Sequence, residues 1–532
     1  MGILKKKIES HLFFNDVVEE CQSGSTKGRS VQDNIKILQY CIERSFKNQS
    51  KLYVLAIDLK KAFDSIDRKM LLNILKKYKV EPRVIEIIYE VYRNDTTKLF
   101  INNEEHATIN LETGIRQGCN CSGLLFIMVT YYIIGKLQQS RIGYFDPDFT
   151  IPSLFYADDG LILAHSREDL IKLVKIVESS SAECGLKLIR EKCKIIVFNN
   201  EDTVEIEGIK IVKELKYLGV TIENKKRWYG KHINENINKG IKLANYMYSI
   251  IGGSCNRLMI GKAFWKGIAL ASILFNQELL LYNVNEMEKL QRVENKAYRT
   301  IFNLPIYTAI EFLRGEIGSS TILARDIKNK LLYYKYALSE TNNSLLKEIV
   351  RNDGEYQTEW YKKIKSYMCK VQITQEQLLH WSKEQIKKKI NEWDTKQWRE
   401  GMESKSTLNI YREYKMDIRE EAWFLNNHKA NIMMKARSNT LKLNWREFGT
   451  ESAKICKLCS EGIETLEHFL IDCDRLQELR SRYLELQRPI VQNKNDLMAS
   501  VLLLGSEGDG GAEYYMELLW SLWRKREMIM NE

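Results

Sequence analysis

Stretches apolar enough and long enough to cross a bilayer are missing from this chain of 532 residues, which excludes a helical membrane span. A secretion signal is not expected either. Met1-Gly2-Ile3-Leu4-Lys5-Lys6-Lys7 is basic, but no uninterrupted apolar stretch follows it. Proline is scarce, at five residues, and no segment recurs at a fixed period, so the chain is not a repeat array. Cysteine occurs in an odd number, 11. Without a secretion signal this argues against a disulfide framework and for reduced thiols, with room for one metal site. What is plentiful is charge: Lys plus Arg number 81 against 70 Asp plus Glu, a formal net charge of +11. That balance favours a polyanionic partner, although a solvated basic surface gives the same total.

Residues 1–51 read as helix, loop, helix, with Gln22 to Ser30 a Gly- and Ser-rich loop carrying Lys27 and Arg29. Lys51 to Asp58 is an apolar strand, and Asp67 is expected to cap a helix with Met70, Leu71, Ile74 and Leu75 on one face. Leu124 to Leu137 is apolar on nearly every side, which predicts a buried helix. Ser153–Ala157 and Leu161–Ala164 flank Asp158-Asp159-Gly160, a hairpin signature. A helix is expected from about Glu168 to Glu183, then strands at Lys194–Phe198, Val204–Ile206 and Leu215–Ile222. Beyond Trp228 helical patterns dominate. A boundary is placed near residue 225 and a softer one at Asn352-Asp353-Gly354, with a flexible loop from Gly505 to Gly511 before the last helix.

Asp58 ends one apolar run, and Asp158 and Asp159 end another a hundred positions later. Three carboxylates at strand ends point to a site for two divalent ions. A nucleotide polymerase must deprotonate a 3′-hydroxyl, align it on an α-phosphate and neutralise departing pyrophosphate. Two Mg²⁺ ions about 4 Å apart, bridged by carboxylates, do all three. Magnesium takes few protein ligands and keeps substrate oxygens and water. Asp58 and Asp158 are assigned to the metals and Asp159 is a third, weaker contributor. Each is weak alone, since Asp-Asp-Gly is also an ordinary polar turn. Asp64 reads as a brace or helix cap rather than a ligand.

In chain order, Ala56-Ile57-Asp58-Leu59-Lys60-Lys61-Ala62-Phe63-Asp64, Gly114-Ile115-Arg116-Gln117-Gly118, Phe155-Tyr156-Ala157-Asp158-Asp159, Gly185-Leu186-Lys187-Leu188 with Lys192, and Tyr217-Leu218-Gly219-Val220 resemble the five palm motifs of reverse transcriptases. Their wording resembles the non-LTR (LINE-type) retrotransposon enzymes, and Gly24 to Asn34 is similar to a finger motif of that family. The resemblance covers residues 1 to about 225. It implies an RNA-directed DNA polymerase acting on an RNA template, a DNA primer or target DNA, and deoxynucleoside triphosphates. It implies that Phe63 excludes a ribose 2′-hydroxyl and that Gln117 and Gly118 lie under the nascent base pair. It assigns Arg116 to template or triphosphate, Lys192 to the triphosphate, and Tyr217, Leu218 and Gly219 to a primer grip. Two positions depart from the family: Ser122-Gly123 stands where Ser-Pro is usual, and Ile189 where Asn is usual. Family members carry a further finger strand and an endonuclease upstream, so an N-terminally truncated copy is expected, located in the nucleus or cytoplasm as a ribonucleoprotein. The alternative is a catalytically inactive truncated retroelement product that binds nucleic acid. A group II intron maturase would share the palm.

Cys456, Cys459, His468 and Cys473 follow the pattern C-x2-C-x8-H-x4-C. A C-x2-C turn aims two thiolates at one ion, and a later His and Cys complete a tetrahedron for Zn²⁺. The arrangement also resembles the knuckle C-terminal to the reverse transcriptase in these retroelements, which a maturase would not predict. Cys119 and Cys121 read as packing residues. Lys231, Lys239 and Lys242 are candidate phosphate contacts. Leu379, Ile386, Ile390 and Trp393 read as one helix face, and Trp381, Trp398 and Trp423 as core or as stacking platforms. The expected architecture is α+β, a right-hand polymerase. Partial fingers and a palm with an antiparallel sheet span 1–225, and a helical thumb 226–352. An all-α region follows over 353–450, then a zinc knuckle over 451–480 and C-terminal helices over 481–532.

Overall fold

The computed structural model describes residues 2–14, 18–199, 204–252, 257–421, 429–446, 450–484, 498, 501–502 and 511–531. The strands in chain order are β1 (Leu52–Ile57), β2 (Thr96–Ile101), β3 (Glu104–Asn110), β4 (Tyr144–Asp146), β5 (Phe149–Ile151) and β6 (Ser153–Tyr156). They continue with β7 (Asp159–Ala164), β8 (Lys194–Phe198), β9 (Lys210–Ile211), β10 (Glu214–Tyr217) and β11 (Val220–Glu223). Five of them form one sheet in the order β6-β7-β1-β8-β9. Strand β1 runs antiparallel to both neighbours, and only β8–β9 is parallel.

Strand β1, Leu-Tyr-Val-Leu-Ala-Ile, is apolar on both faces and buried along nearly its whole length. A central strand covered on two sides needs that continuous run rather than an alternating one. The helices Val31–Lys47 and Ser122–Gln139 pack on the edge strand β6, and Arg167–Glu183 packs on β7. Ser122–Gln139 is buried almost all round, as its composition predicts. The Asp67 carboxylate accepts from the Met70 N–H at 2.7 Å and caps Arg68–Lys77 as expected.

Several boundaries differ from the sequence expectation. Val204–Ile206 is not a strand; Ile206 makes one bridge to Ile209 and the short β9 follows. Leu215–Ile222 is a hairpin rather than one strand, because Leu218 (φ +45) and Gly219 (φ +81) turn the chain between β10 and β11. Two consecutive positive-φ residues are what a tight hairpin turn with the native twist requires. Leu379 is separated from Ile386, Ile390 and Trp393, since the helix Gln375–His380 stops before Lys383–Glu403 begins. Ser382 caps the second helix and forces the break.

The softer boundary expected at Asn352-Asp353-Gly354 does not coincide with a break between elements. It lies inside the helix Ser344–Tyr356, and Asp353 forms a fully buried ion pair with Lys36 at 2.6 Å. Trp398 is core, its indole N–H donating to the Glu311 carbonyl at 2.7 Å. The buried apolar side chains run as one cluster from Leu4 to Leu522. Trp423 and Gly505–Asp509 fall outside the described residues, and Gly511 begins the last helix, Gly511–Asn531. No described helix is long and apolar enough to cross a membrane.

Candidate functional site

The sheet register brings the carboxylates together. Ile57 pairs with Gly160 across β1 and β7, so Asp58, the next residue, comes opposite Asp159. Tyr156 pairs with Asp159 across β6 and β7, which places the turn at Ala157-Asp158. The turn is thus one residue earlier than Asp158-Asp159-Gly160, and Ala157 supplies its left-handed φ of +55°. Gly160 is needed for packing rather than turning: a Cβ there would meet the Phe155 ring at 2.6 Å and Ile57 at 2.8 Å. Asp158 and Asp159 are exposed and Asp58 is half-buried.

Desolvation raises the pKa of Asp159, and the charges of Asp158 and Asp58 raise it further. This excess of negative charge on oxygen donors is what a hard divalent cation neutralises. A carboxylate held with a raised pKa stabilises the fold below its unfolded pKa, and that stability is lost as pH rises through the folded value. The metal-free fold is therefore least favoured by this group at neutral pH and above. Mg²⁺ is expected to raise the melting temperature at pH 8, by about 1.4 kcal/mol of stability at tenfold over Kd. The increment should shrink toward pH 5 and vanish in Asp158→Ala/Asp159→Ala, as thermal melts with and without Mg²⁺ would show.

The segment Gly185 to Lys192 lies against the same strand end. Leu188 bridges Leu59, the Lys60 N–H donates to the Lys187 carbonyl at 2.8 Å, and the Ile189 N–H donates to the Asp58 carbonyl at 2.9 Å. The backbone of Ile189 thus does positioning that does not depend on an Asn side chain. The Lys192 Nζ sits 3.9 Å from the Asp58 carboxylate, with its side chain largely exposed.

Phe63 is half-buried and stacked on Phe126, ring centroids 4.6 Å apart at 12°. Gln117 donates to the Asp64 carboxylate at 3.0 Å, so Asp64 braces this loop rather than joining the other aspartates. Gly118 (φ +80) has open space where a side chain would stand. Arg116 is placed differently from expectation. Its guanidinium is committed to the buried Asp95 at 2.7–2.9 Å, and Arg68 holds the same carboxylate at 2.9 Å. Tyr217 is also inside: its hydroxyl accepts from Asn34 Nδ2 at 3.0 Å and donates to the Leu154 carbonyl at 3.3 Å. Leu218, half-buried against the core, and the exposed Gly219 form the end of the hairpin, with Gly219 against Phe275.

The second constellation lies far along the chain. Cys456, Cys459, His468 and Cys473 have their ligand atoms all within 4.8 Å of one another, among the described residues the one group of potential ligands so closely drawn. Cys456 and Cys473 Sγ are 3.9 Å apart, and Cys459 Sγ is 3.4 Å from His468 Nε2. Tetrahedral zinc would set these separations at about 3.8 and 3.6 Å from ordinary Zn–S and Zn–N lengths. The four residues therefore fit the ion. Burial pushes the Cys456 thiol up and the Cys473 thiol to about 12, which a bound cation reverses. His468 sits on one short turn of helix that ends at Asp472, freeing Cys473 to face the other three.

Residues 2–222 match the family model described as reverse transcriptase (RNA-dependent DNA polymerase). Over these residues the chain is similar to reverse transcriptases. A Pol polyprotein of the type-1 retrotransposable element R2 from Nasonia vitripennis is 29% identical over 180 residues, 33% of this chain and 18% of that protein. The corresponding R2 protein of Popillia japonica is 21% identical over 309 residues, 53% of this chain and 48% of that one. The chain spans about a fifth or less of the length of the first curated relatives it matches, 18% and 16%. A solved telomerase from Candida tropicalis aligns at a TM-score of 0.35 and 14% identity, over 72% of this chain and 56% of that one, too low for any inference about this chain.

Sequence reasoning gave no individual role to three residues that build the matched segment. Asn34 is buried and ties Ser23, the Phe155 carbonyl and Tyr217 together. Asp95 anchors Arg68 and Arg116. Gln22 is buried against the Ala157 turn. A lone polar residue carries no periodic signal; of the three only Asn34 lay within a recognised motif, as the last residue of the finger motif Gly24 to Asn34.

Proposed function

We propose that this chain is an RNA-directed DNA polymerase of a non-LTR retrotransposon, adding deoxynucleotides to a primer 3′-hydroxyl with release of pyrophosphate. The observation that carries this is the register that sets Asp58 opposite Asp159 with Asp158 on the adjoining turn, within the segment similar to reverse transcriptases. Asp58 and Asp158 would hold two magnesium ions, with Asp159 assisting. Ions held there supply activation of the primer hydroxyl and charge neutralisation at the leaving pyrophosphate. Lys192, 3.9 Å from the Asp58 carboxylate, would meet the triphosphate as a cation, and the Gln117-Gly118 loop would lie under the nascent base pair. The stacked Phe63 forms a rigid floor for the incoming sugar. Arg116, held by Asp95, supports that loop from behind.

The helices after Trp228 would form the thumb, with Lys239 and Lys242 exposed for phosphates; Lys231 is paired with Glu214. Zinc would be held by Cys456, Cys459, His468 and Cys473, fixing the C-terminal segment. The template would be RNA, the primer or target DNA, and the substrates deoxynucleoside triphosphates.

The test is primer extension by purified protein on poly(rA)/oligo(dT) with dTTP and Mg²⁺. A ladder of products supports the proposal. A folded protein that binds the duplex without extending it is instead the inactive nucleic-acid-binding product. In the same assay Phe63→Ala is expected to raise the UTP-to-dTTP incorporation ratio roughly 10²-fold, a discrimination typical of pocket shape. An unchanged ratio would remove Phe63 from the sugar gate.

A further inference from the structure

Ala157 is the residue on which the catalytic turn depends, and it is held in an unusual way. It stands at φ +55°, a conformation that costs a residue other than glycine roughly 1 kcal/mol or more. Hairpin turns commonly place Gly or Asn there. The β6–β7 pairing closes at Tyr156 and Asp159, leaving the Ala157 N–H and C=O outside the ladder. Both are taken by one side chain from outside the hairpin. The Gln22 Oε1 accepts from the Ala157 N–H at 3.0 Å, and the Gln22 Nε2 donates to the Ala157 carbonyl at 3.3 Å.

That amide is itself fixed. The same Oε1 accepts from the Gly24 N–H at 2.8 Å, and the same Nε2 donates to Thr130 Oγ1 at 2.8 Å on the buried helix Ser122–Gln139. Gln22 has no solvent exposure. Its backbone runs as a short parallel extension of the sheet: the Ser23 N–H donates to the Phe155 carbonyl at 2.9 Å and the Phe155 N–H to the Cys21 carbonyl at 2.6 Å. Arg29 holds the loop from the other side through the Gln22 carbonyl at 2.8 Å. Gly24 completes the fit, because a Cβ there would overlap the Ala157 nitrogen. Four polar contacts on one buried amide, two of them on a single residue at positive φ, are a built clamp rather than incidental packing.

We propose that Gln22 is a positioning residue for nucleotide transfer: its amide clamps both polar groups of Ala157 and so fixes where the adjoining Asp158 carboxylate stands. The inference rests on the polymerase reading above. Gln22 touches no substrate; it acts through the turn. A carboxylate displaced by about 1 Å loses on the order of 10²-fold in rate, which gives the clamp a kinetic signature distinct from folding.

The experiment compares wild type, Gln22→Met and Gln22→Glu in primer extension on poly(rA)/oligo(dT), with thermal melts and duplex binding alongside. Methionine keeps the length and removes every hydrogen bond. Gln22→Met is expected to lose roughly 10²-fold in kcat, with KM for dTTP and duplex Kd within about twofold of wild type. Glutamate keeps the acceptor and loses the donor while ionised. Gln22→Glu should fall less, and its activity relative to wild type should rise as pH falls and the carboxyl regains an O–H donor. A folded Gln22→Met with wild-type kcat, or a loss confined to KM or duplex Kd, would overturn the inference. Hydrogen exchange over residues 155–160 provides a readout independent of activity, with the Ala157 amide exchanging faster in Gln22→Met. If wild type itself fails to extend, the polymerase reading fails, and unchanged exchange in Gln22→Met separately sinks the clamp. If Gln22→Met does not fold, the pH dependence of the Gln22→Glu ratio decides, a flat ratio overturning the inference.

Discussion

Cys459→Ser protein is expected to contain no bound zinc and to lose order in the last described helix as well as in the knuckle. The knuckle buries only a few apolar side chains of its own, among them Leu458, Leu466, Phe469 and Leu470, too few to hold a segment of this size. Structural zinc typically supplies on the order of 10 kcal/mol to such a segment. The helix Gly511–Asn531 leans on it through Arg526, whose guanidinium meets Glu464 at 2.7 and 2.9 Å, and through Trp523, edge-on to Phe469 at 6.0 Å. Both Glu464 and Arg526 are buried. Freeing Glu464 from its place would leave a buried charge unpaired, a cost of about 3–5 kcal/mol. Metal analysis should find one zinc per wild-type chain and none in the variant. Proteolysis or hydrogen exchange should report faster opening across both segments. A variant free of zinc with wild-type exchange in Gly511–Asn531 would show that the helix stands without the knuckle.

Asp58→Asn is expected to abolish nucleotide addition, by roughly 10³-fold or more, equivalent to about 4 kcal/mol of transition-state stabilisation. Asparagine keeps the shape and removes the charge that a bridging ligand must carry. Asp58 lies at the end of a strand whose core residues are unaffected, and its side chain is half-buried beside Lys192. The melting temperature and duplex Kd should therefore stay near wild type. Removing one of three mutually repelling carboxylates should also relieve Asp159, whose raised pKa owes part of its shift to Asp58. A loss of extension together with a loss of folding would assign Asp58 to structure instead.

Much of the sheet and of the candidate site was legible because the signals were local and ordered. Strand β1 shows as an apolar run, the buried helix Ser122–Gln139 as an apolar face all round, and the close grouping of Cys456, Cys459, His468 and Cys473 as ligand spacing. The turn was misplaced by one residue because Asp-Asp-Gly is a stronger hairpin signature than Ala-Asp. The left-handed Ala157 is held there by Gln22, a contact across 135 positions. The β10–β11 hairpin was hidden for a similar reason: Leu218 at positive φ has no turn composition. Arg116 was assigned to template or triphosphate by resemblance, and nothing in the sequence reveals that Asp95 pairs with it. The boundary at Asn352-Asp353-Gly354 failed because three turn-forming residues sit in a helix stabilised by the buried Lys36–Asp353 pair. In every case but the β10–β11 hairpin a long-range polar contact overrode local chemistry.

The most direct test is single-turnover extension of an oligo(dT) primer on poly(rA), titrated with Mg²⁺, for wild type beside Asp158→Ala/Asp159→Ala. Wild type should extend in proportion to metal occupancy, while the variant binds the same duplex and adds nothing. Equal extension by both proteins, or none by a folded and duplex-bound wild type, would contradict the assignment of these carboxylates to nucleotide transfer.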